Sequence, residues 1–353
     1  MQKRVAIWME HHRSHEQEPE GVMERSERIN DLEPGSVELR HESNFWRKIL
    51  SFLFRLAVSF ALLLLVFKSV DLSILTETVA SPNILPLVAM VIVSLLFVFL
   101  GGLKLWFLFS SFSSINLSVF TGYYFLAGSV GSLAPAIFGD FTLIGLARRN
   151  QILAHESISA ILMDRCITMV IALFIFTPLT LIFVLPVKPV YILGITMMSV
   201  ILFGSFLWIS VRSAPYVLGR FSLMKRLWEA FSLYFTIEGK KNLYANILIS
   251  GLRGIVSGLT LIFALMASGL FPPMIPTVCI SNSLSVLTHI PVSISGLGVF
   301  EGSGLLLFEA IGLNREQVLA GLLYHRIYII VWALLTSIVL TLLFTVRRHF
   351  RKT

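Results

Sequence analysis

Residues 275–311 read IPTVCISNSLSVLTHIPVSISGLGVFEGSGLLLFEAI, and this stretch decides the fold. It is apolar and longer than the roughly 20 residues that a membrane-spanning helix needs. Yet Pro291, Gly296 and Gly298 interrupt it near the middle, and Glu301 follows the break directly. Non-helical backbone at membrane depth is tolerated only where protein or a cavity surrounds it. A straight crossing is therefore a poor reading, and a helix that turns back is a better one. Residues 119–147 repeat the pattern, with Pro135 and Gly139 in the middle and Asp140 next.

Around these two stretches lie six uninterrupted apolar runs: 49–67, 84–100, 158–185, 190–208, 247–267 and 319–346. Hydrophobic residues make up 56% of the chain and charged residues 14%, with a mean hydropathy of +0.83. Soluble domains carry about 25% charged residues, so an ordinary globular enzyme is excluded. The expected fold is an all-α polytopic integral membrane protein. It has about six full transmembrane helices plus two re-entrant helical hairpins of opposite orientation, an inverted repeat. Two short crossings, or one long one, in place of each hairpin remain the alternative.

Residues 1–44 differ in character, with six Lys/Arg against ten Asp/Glu and no apolar core of a signal peptide. This segment is expected to be a disordered, acidic cytoplasmic tail. His11, His12 and His15 lie in it and read as solvated rather than as metal ligands. Residues 45–350 form the membrane domain. Cys166 and Cys279 sit in separate apolar runs and read as packing residues. No metal, cofactor or nucleic acid is implied.

Basic residues orient the spans, because Lys and Arg in short loops stay on the cytoplasmic side. Arg47 and Lys48, Lys104 at the apparent end of the second run, the connection 211–244 and the cluster Arg347, Arg348, Arg351 and Lys352 place both termini in the cytoplasm. An even number of crossings follows, in the plasma membrane. The first hairpin would enter from the cytoplasmic face and the second from the outer face. Within the cytoplasmic connection at 215–243, Leu223, Leu227, Phe231 and Phe235 recur every four residues. That spacing fits a helix in the inner interface, or equally one packed on the ends of the spans.

A spacing links the two broken stretches. Asp140 precedes Arg165 by the same 25 residues that separate Glu301 from Arg326. A gapless overlay gives only three identities, Leu146 with Leu307, Leu162 with Leu323 and Arg165 with Arg326. The common order is more telling: break, carboxylate, apolar half-helix, polar turn, and a spanning helix that carries arginine. At 1.5 Å per residue, each charge lies about 12–15 Å from the polar turn, near the middle of a hydrocarbon core about 30 Å thick. Ionisable groups at that depth are costly and mark function by default. The expected pairs are Asp140 with Arg165 and Glu301 with Arg326, serving either to bind an anionic headgroup or to hold each hairpin on its helix. Asp164 is an alternative partner for Arg165. His325 stands in the equivalent place beside Arg326, and His289 precedes the second break; both are secondary candidates. Arg253 and Arg55 are expected to snorkel from helix ends.

Ser132-Leu133-Ala134-Pro135 through Gly139-Asp140, with Asp164-Arg165, resembles the first signature block of the lysylphosphatidylglycerol synthase membrane-region family. His289-Ile290-Pro291, then Gly296-Leu297-Gly298-Val299-Phe300-Glu301, with Arg326, resembles the second. That family includes the flippase module of bacterial multiple-peptide-resistance proteins and archaeal relatives in dolichol-phosphate-linked glycosylation. The resemblance implies flipping or handling of an anionic lipid, either an aminoacylated phospholipid or a polyprenyl-phosphate-linked glycan. It also leaves open a homo-oligomer or a lipid-synthesising enzyme as partner. Two departures stand out. The first block has Asp140 where many relatives have Glu, and no aminoacyl-transferase domain is expected after the last helix. An intramembrane transferase acting on a polyprenyl phosphate, or a non-transporting accessory subunit of envelope or glycolipid synthesis, are the alternative functions.

Overall fold

A computed structural model describes residues 53–54, 56–133, 136–218, 222–288 and 296–350. The tail with its histidines, Arg55, Pro135, His289 and Pro291 lie outside the described residues. The chain divides into two units, Met1–Phe54 and Arg55–Thr353. The account that follows concerns the second.

Every regular element among its described residues is helical. In lipid only helices satisfy their own backbone groups without closing a barrel, and the Leu, Ile, Val and Phe runs supply the apolar surface this requires. The helices are α1 Leu56–Lys68, α2 Leu72–Ala80, α3 Ile84–Phe109, α4 Leu117–Leu133, α5 Ala136–Ala147 and α6 Ala154–Val184. They continue with α7 Pro189–Leu218, α8 Ser222–Ser232, α9 Ile237–Ala267, α10 Met274–Thr288, α11 Val299–Glu309 and α12 Arg315–Phe350.

Polar residues start several of these helices. Asp71 caps α2 by accepting from the Ser73 amide at 2.8 Å, and Asn83 caps α3 through the Leu85 amide at 3.3 Å. Thr236 does the same for α9 through the Gly239 amide at 3.2 Å. Pro178 has no amide to donate, and α6 widens into a π-turn over Ala172–Phe176 just before it. There the Thr177 hydroxyl donates to the Ala172 carbonyl at 3.0 Å.

Four helical stretches are long and apolar enough to cross a membrane: Ile84–Phe109, Ala154–Val184, Gly239–Ala267 and Arg315–Thr336. The pair α1–α2, bent by 96°, makes a fifth if taken as one span. Leu85, Leu248 and Phe271 are each at least three-quarters exposed, an outer surface suited to acyl chains. The chain is a multi-pass membrane protein.

The long helices α3 and α9 form an antiparallel core pair in constant register. The Asn83 amide donates to the Ala267 carbonyl, Arg253 reaches the Phe97 carbonyl, and Asn246 reaches the Lys104 carbonyl. α6 runs alongside α9 in the same direction, with Asp164 at Asn246 and Phe176 at Gly254. α12 runs the opposite way. Its Gly321 sits against Ala264 and Leu265 near the end of α9, and its Thr336 meets Ser129 of α4. Since Phe109 and Gly101 of α3 meet Phe120 and Tyr124 of α4, this second contact lies well along α3. Thus α6 and α12, the helices that carry Arg165 and Arg326, point in opposite directions. The sequence step that carries Asp140 onto Glu301 also carries Ala154, the first residue of α6, onto Arg315, the first of α12.

Both broken stretches fold back on themselves. In α4–α5, Asn150 beyond the end of one arm donates to the Tyr123 hydroxyl of the other at 3.2 Å, and Phe120, Ala127, Leu143 and Ala147 share one core cluster. In α10–α11, a Cβ on Gly304 would lie 3.4 Å from Leu284, and Ile280, Leu284, Phe300 and Phe308 share a second cluster.

The glycines expected at the breaks divide into two kinds. Gly296 and Gly298 do occupy a turn, with φ of 71° and 79°, and a Cβ on Gly298 would lie 2.5 Å from that of Leu62. Gly139 is not a break residue. It lies inside α5, where a Cβ would approach the Ala127 carbonyl to 2.6 Å, so its role is close packing of the two arms.

Two further expectations are corrected. α3 does not end at Lys104 but continues to Phe109, and the Lys104 side chain is buried, so this lysine belongs to no loop cluster. Arg253 does not snorkel from a helix end; it lies well inside α9, against Phe97 of α3. In the connection, Phe231 and Tyr234 pack on the α3–α6 core while Leu233 and Phe235 face outward.

Candidate functional site

α6 places two opposite charges side by side in sequence. One residue on an α-helix is a turn of about 100°, so adjacent side chains diverge. Arg165 faces α5 and binds Asp140, Nη2 to Oδ2 at 2.5 Å. Asp164 faces α3 and α9 instead. Its Oδ1 accepts from Lys104 Nζ at 2.9 Å and from Asn246 Nδ2 at 2.8 Å. Lys104 also donates to Thr168, one turn further along α6, at 2.6 Å. Thus Asp140 is the partner of Arg165, and Asp164 serves the buried Lys104.

These groups line a partly open cavity of about 400 Å³ between α3, α4, α5, α6, α9 and α10. Gly128 and Gly131 of α4 and Gly139 of α5 keep its hairpin wall thin. The third cation is Arg253. Its guanidinium carbon stands 3.9 Å from the centre of the Phe97 ring, and its Nε donates to the Phe97 carbonyl at 3.4 Å. Among the described residues lining the cavity, three cations, Lys104, Arg165 and Arg253, oppose two carboxylates, Asp140 and Asp164. The surplus is one positive charge.

The second pair is built differently. Arg326 Nε donates to Glu301 Oε1 at 2.9 Å, and the other carboxylate oxygen accepts the Gly298 amide at 2.8 Å. Glu301 thereby caps the start of α11 as well as holding α12. Arg326 also reaches the Gly296 carbonyl at 3.4 Å and lies over the Phe300 ring, on which His325 stacks. Glu301 is 1% exposed and Arg326 16%, against 28% for Asp140 and 40% for Arg165. Neither Glu301 nor Arg326 lines the cavity. The structure thus makes both expected pairs, but only Asp140 and Arg165 line this cavity.

Long apolar helices, with a folded-back helical hairpin and a charged cavity among them, define a polytopic membrane protein. More specifically, the chain belongs to the lysylphosphatidylglycerol synthase membrane-region family: the model of the lysylphosphatidylglycerol synthase TM region matches residues 52–337. No curated protein and no solved structure matches it significantly.

Proposed function

We propose that the protein binds the headgroup of an anionic lipid in the cavity beside α4–α5 and carries it between leaflets. The observation that supports this most is the cationic surplus around about 400 Å³ of space lined by six helices. That volume suits a phospholipid headgroup, with the acyl chains left in the bilayer. Guanidinium groups pair well with phosphate, and a low-dielectric wall strengthens the attraction. Two folded-back hairpins, and arginine helices of opposite direction, fit an inverted repeat of the kind that alternates access around a central site. Membership of a family named for a lipid synthase agrees with a lipid substrate. A transferase would need carboxylates available for a cation or a proton. In the cavity, Asp140 and Asp164 are both already held by cations.

Purified protein reconstituted in phosphatidylcholine vesicles, with fluorescent phosphatidylglycerol as probe, tests the proposal. Bleaching of the outer leaflet then reports exchange. Wild type is expected to exchange the probe well above protein-free vesicles, and Arg165→Ala to slow it by about tenfold or more, the worth of one charge-assisted contact. Equal rates in wild type, the Arg165 variant and protein-free vesicles would overturn it.

A further inference from the structure

The cavity has two unlike walls. On the side of α3, α5 and α6 every charge is matched: Lys104 with Asp164, and Arg165 with Asp140. On the side of α9 and α10 stands Arg253 with uncharged polar neighbours, Ser250 and Ser257 on its own helix and Asn282 and Ser285 across from it. Ser250, Arg253 and Ser257 are spaced three and four apart, so they share one helical face.

Among the described residues no carboxylate forms an ion pair with Arg253. Its guanidinium is positioned by Phe97 instead. The guanidinium carbon lies over the ring and Nε donates to the Phe97 carbonyl, while the two terminal NH2 groups can donate to another ligand. Gly101 makes this placement feasible, because a Cβ there would come 3.1 Å from Arg253 Nε and would collide with the Tyr124 hydroxyl. Among the described residues lining the cavity, Arg253 is thus the cation without a carboxylate, and Phe97 and Gly101 fix its place.

We infer that Arg253 anchors the phosphate, and that the ligand is a lipid with a single phosphodiester charge and an uncharged, hydroxyl-bearing headgroup. The charge count leads to this. One negative charge neutralises the cavity, whereas a doubly charged phosphate monoester would overshoot. An aminoacylated headgroup brings ammonium groups that need carboxylates, and Asp140 and Asp164 are both engaged. Hydroxyls of the headgroup instead meet the serine and asparagine side chains beside Arg253. This inference rests on the proposed lipid-binding site and adds to it the anchor and the substrate class.

Lipid retention by the full-length protein in detergent tests this independently of transport. The probe is radiolabelled phosphatidylglycerol, with unlabelled phosphatidylglycerol, lysylphosphatidylglycerol, phosphatidylcholine and inorganic phosphate as competitors. Wild type is expected to retain the probe. Phosphatidylglycerol should compete at least about tenfold better than the other three, and Arg253→Gln should weaken retention by about tenfold or more. Arg253→Lys should fall between, since lysine keeps the charge but loses the planar fork. Wild-type retention by Arg253→Gln, or equal competition by lysylphosphatidylglycerol or inorganic phosphate, would overturn the inference. The competition series uses wild type alone and so stands even if a variant fails to fold. Retention without leaflet exchange would overturn transport and leave this assignment standing. Exchange without any preference for phosphatidylglycerol would do the reverse.

Discussion

Lys104→Met is expected to cost the protein most of its stability, about 3–5 kcal/mol, while the double variant Lys104→Met, Asp164→Asn recovers most of the loss. The Lys104 side chain is 2% exposed and its ammonium is shared between Asp164 and Thr168. Methionine fills similar space but leaves a carboxylate without its cation at the edge of a low-dielectric interior. Removing one member of a buried pair is far more damaging than removing both, because the remaining charge has lost its solvation and gained nothing. In the double variant, asparagine at position 164 can still accept from Asn246. Thermal unfolding in detergent, followed with gel filtration, checks this. A single variant that melts with wild type, or a double variant no better than the single, would contradict it.

The second large effect is a difference between two residues that occupy matching places in the two broken stretches. Glu301→Ala is expected to destabilise the protein by about 3–5 kcal/mol, and Asp140→Ala by about 1 kcal/mol or less. Glu301 is 1% exposed and holds both Arg326 and the amide that opens α11, so its removal takes the carboxylate away from a largely buried guanidinium and uncaps a helix. Asp140 and Arg165 border the cavity at 28% and 40% exposure, where solvent takes over part of the lost partner's role. The loss at Asp140 should appear in lipid exchange rather than in melting. Melting curves for the two variants side by side decide the matter, and equal shifts would show that the pairs are equivalent after all.

Much of this was legible in the sequence. Long apolar runs gave the helices, and the glycines before Glu301 marked the turn of the second hairpin, whereas Gly139 proved to be a packing residue inside α5. The 25-residue spacing gave both ion pairs, since it sets a charge on a half-helix level with one on the next span. Depth along a helix is readable from residue count; the face that a charge presents, and what stands opposite, are not. Asp164 and Arg165 differ by one residue yet belong to different pairs because the helix turns between them.

Lys104 was misread for a related reason. The hydropathy of residues 84–100 ends before it, but Leu105-Trp106-Phe107-Leu108-Phe109 resumes the apolar run, and a charge flanked by apolar sequence on both sides is an interior charge. Arg253 also had a signal. Asn246, Ser250, Arg253, Ser257 and Thr260 recur at steps of four and three, a polar stripe along one face of an otherwise apolar helix. A stripe of that kind marks the side that faces other protein or a cavity. The asymmetry between the two pairs left no such trace. It arises from tertiary packing: α9, α10 and α3 leave space beside Asp140, whereas Glu301 is buried at the start of α11.

The central claim is that the cavity bounded by Lys104, Arg165 and Arg253 is where a lipid headgroup sits. An electron cryomicroscopy structure in nanodiscs containing phosphatidylglycerol, with a bound antibody fragment for alignment, tests it most directly. The account predicts phosphate density within hydrogen-bonding reach of the Arg253 guanidinium, with acyl chains leaving the bundle beside the α4–α5 hairpin. Ordered lipid confined to the outer surface, with only water between Arg253 and Arg165, would contradict it.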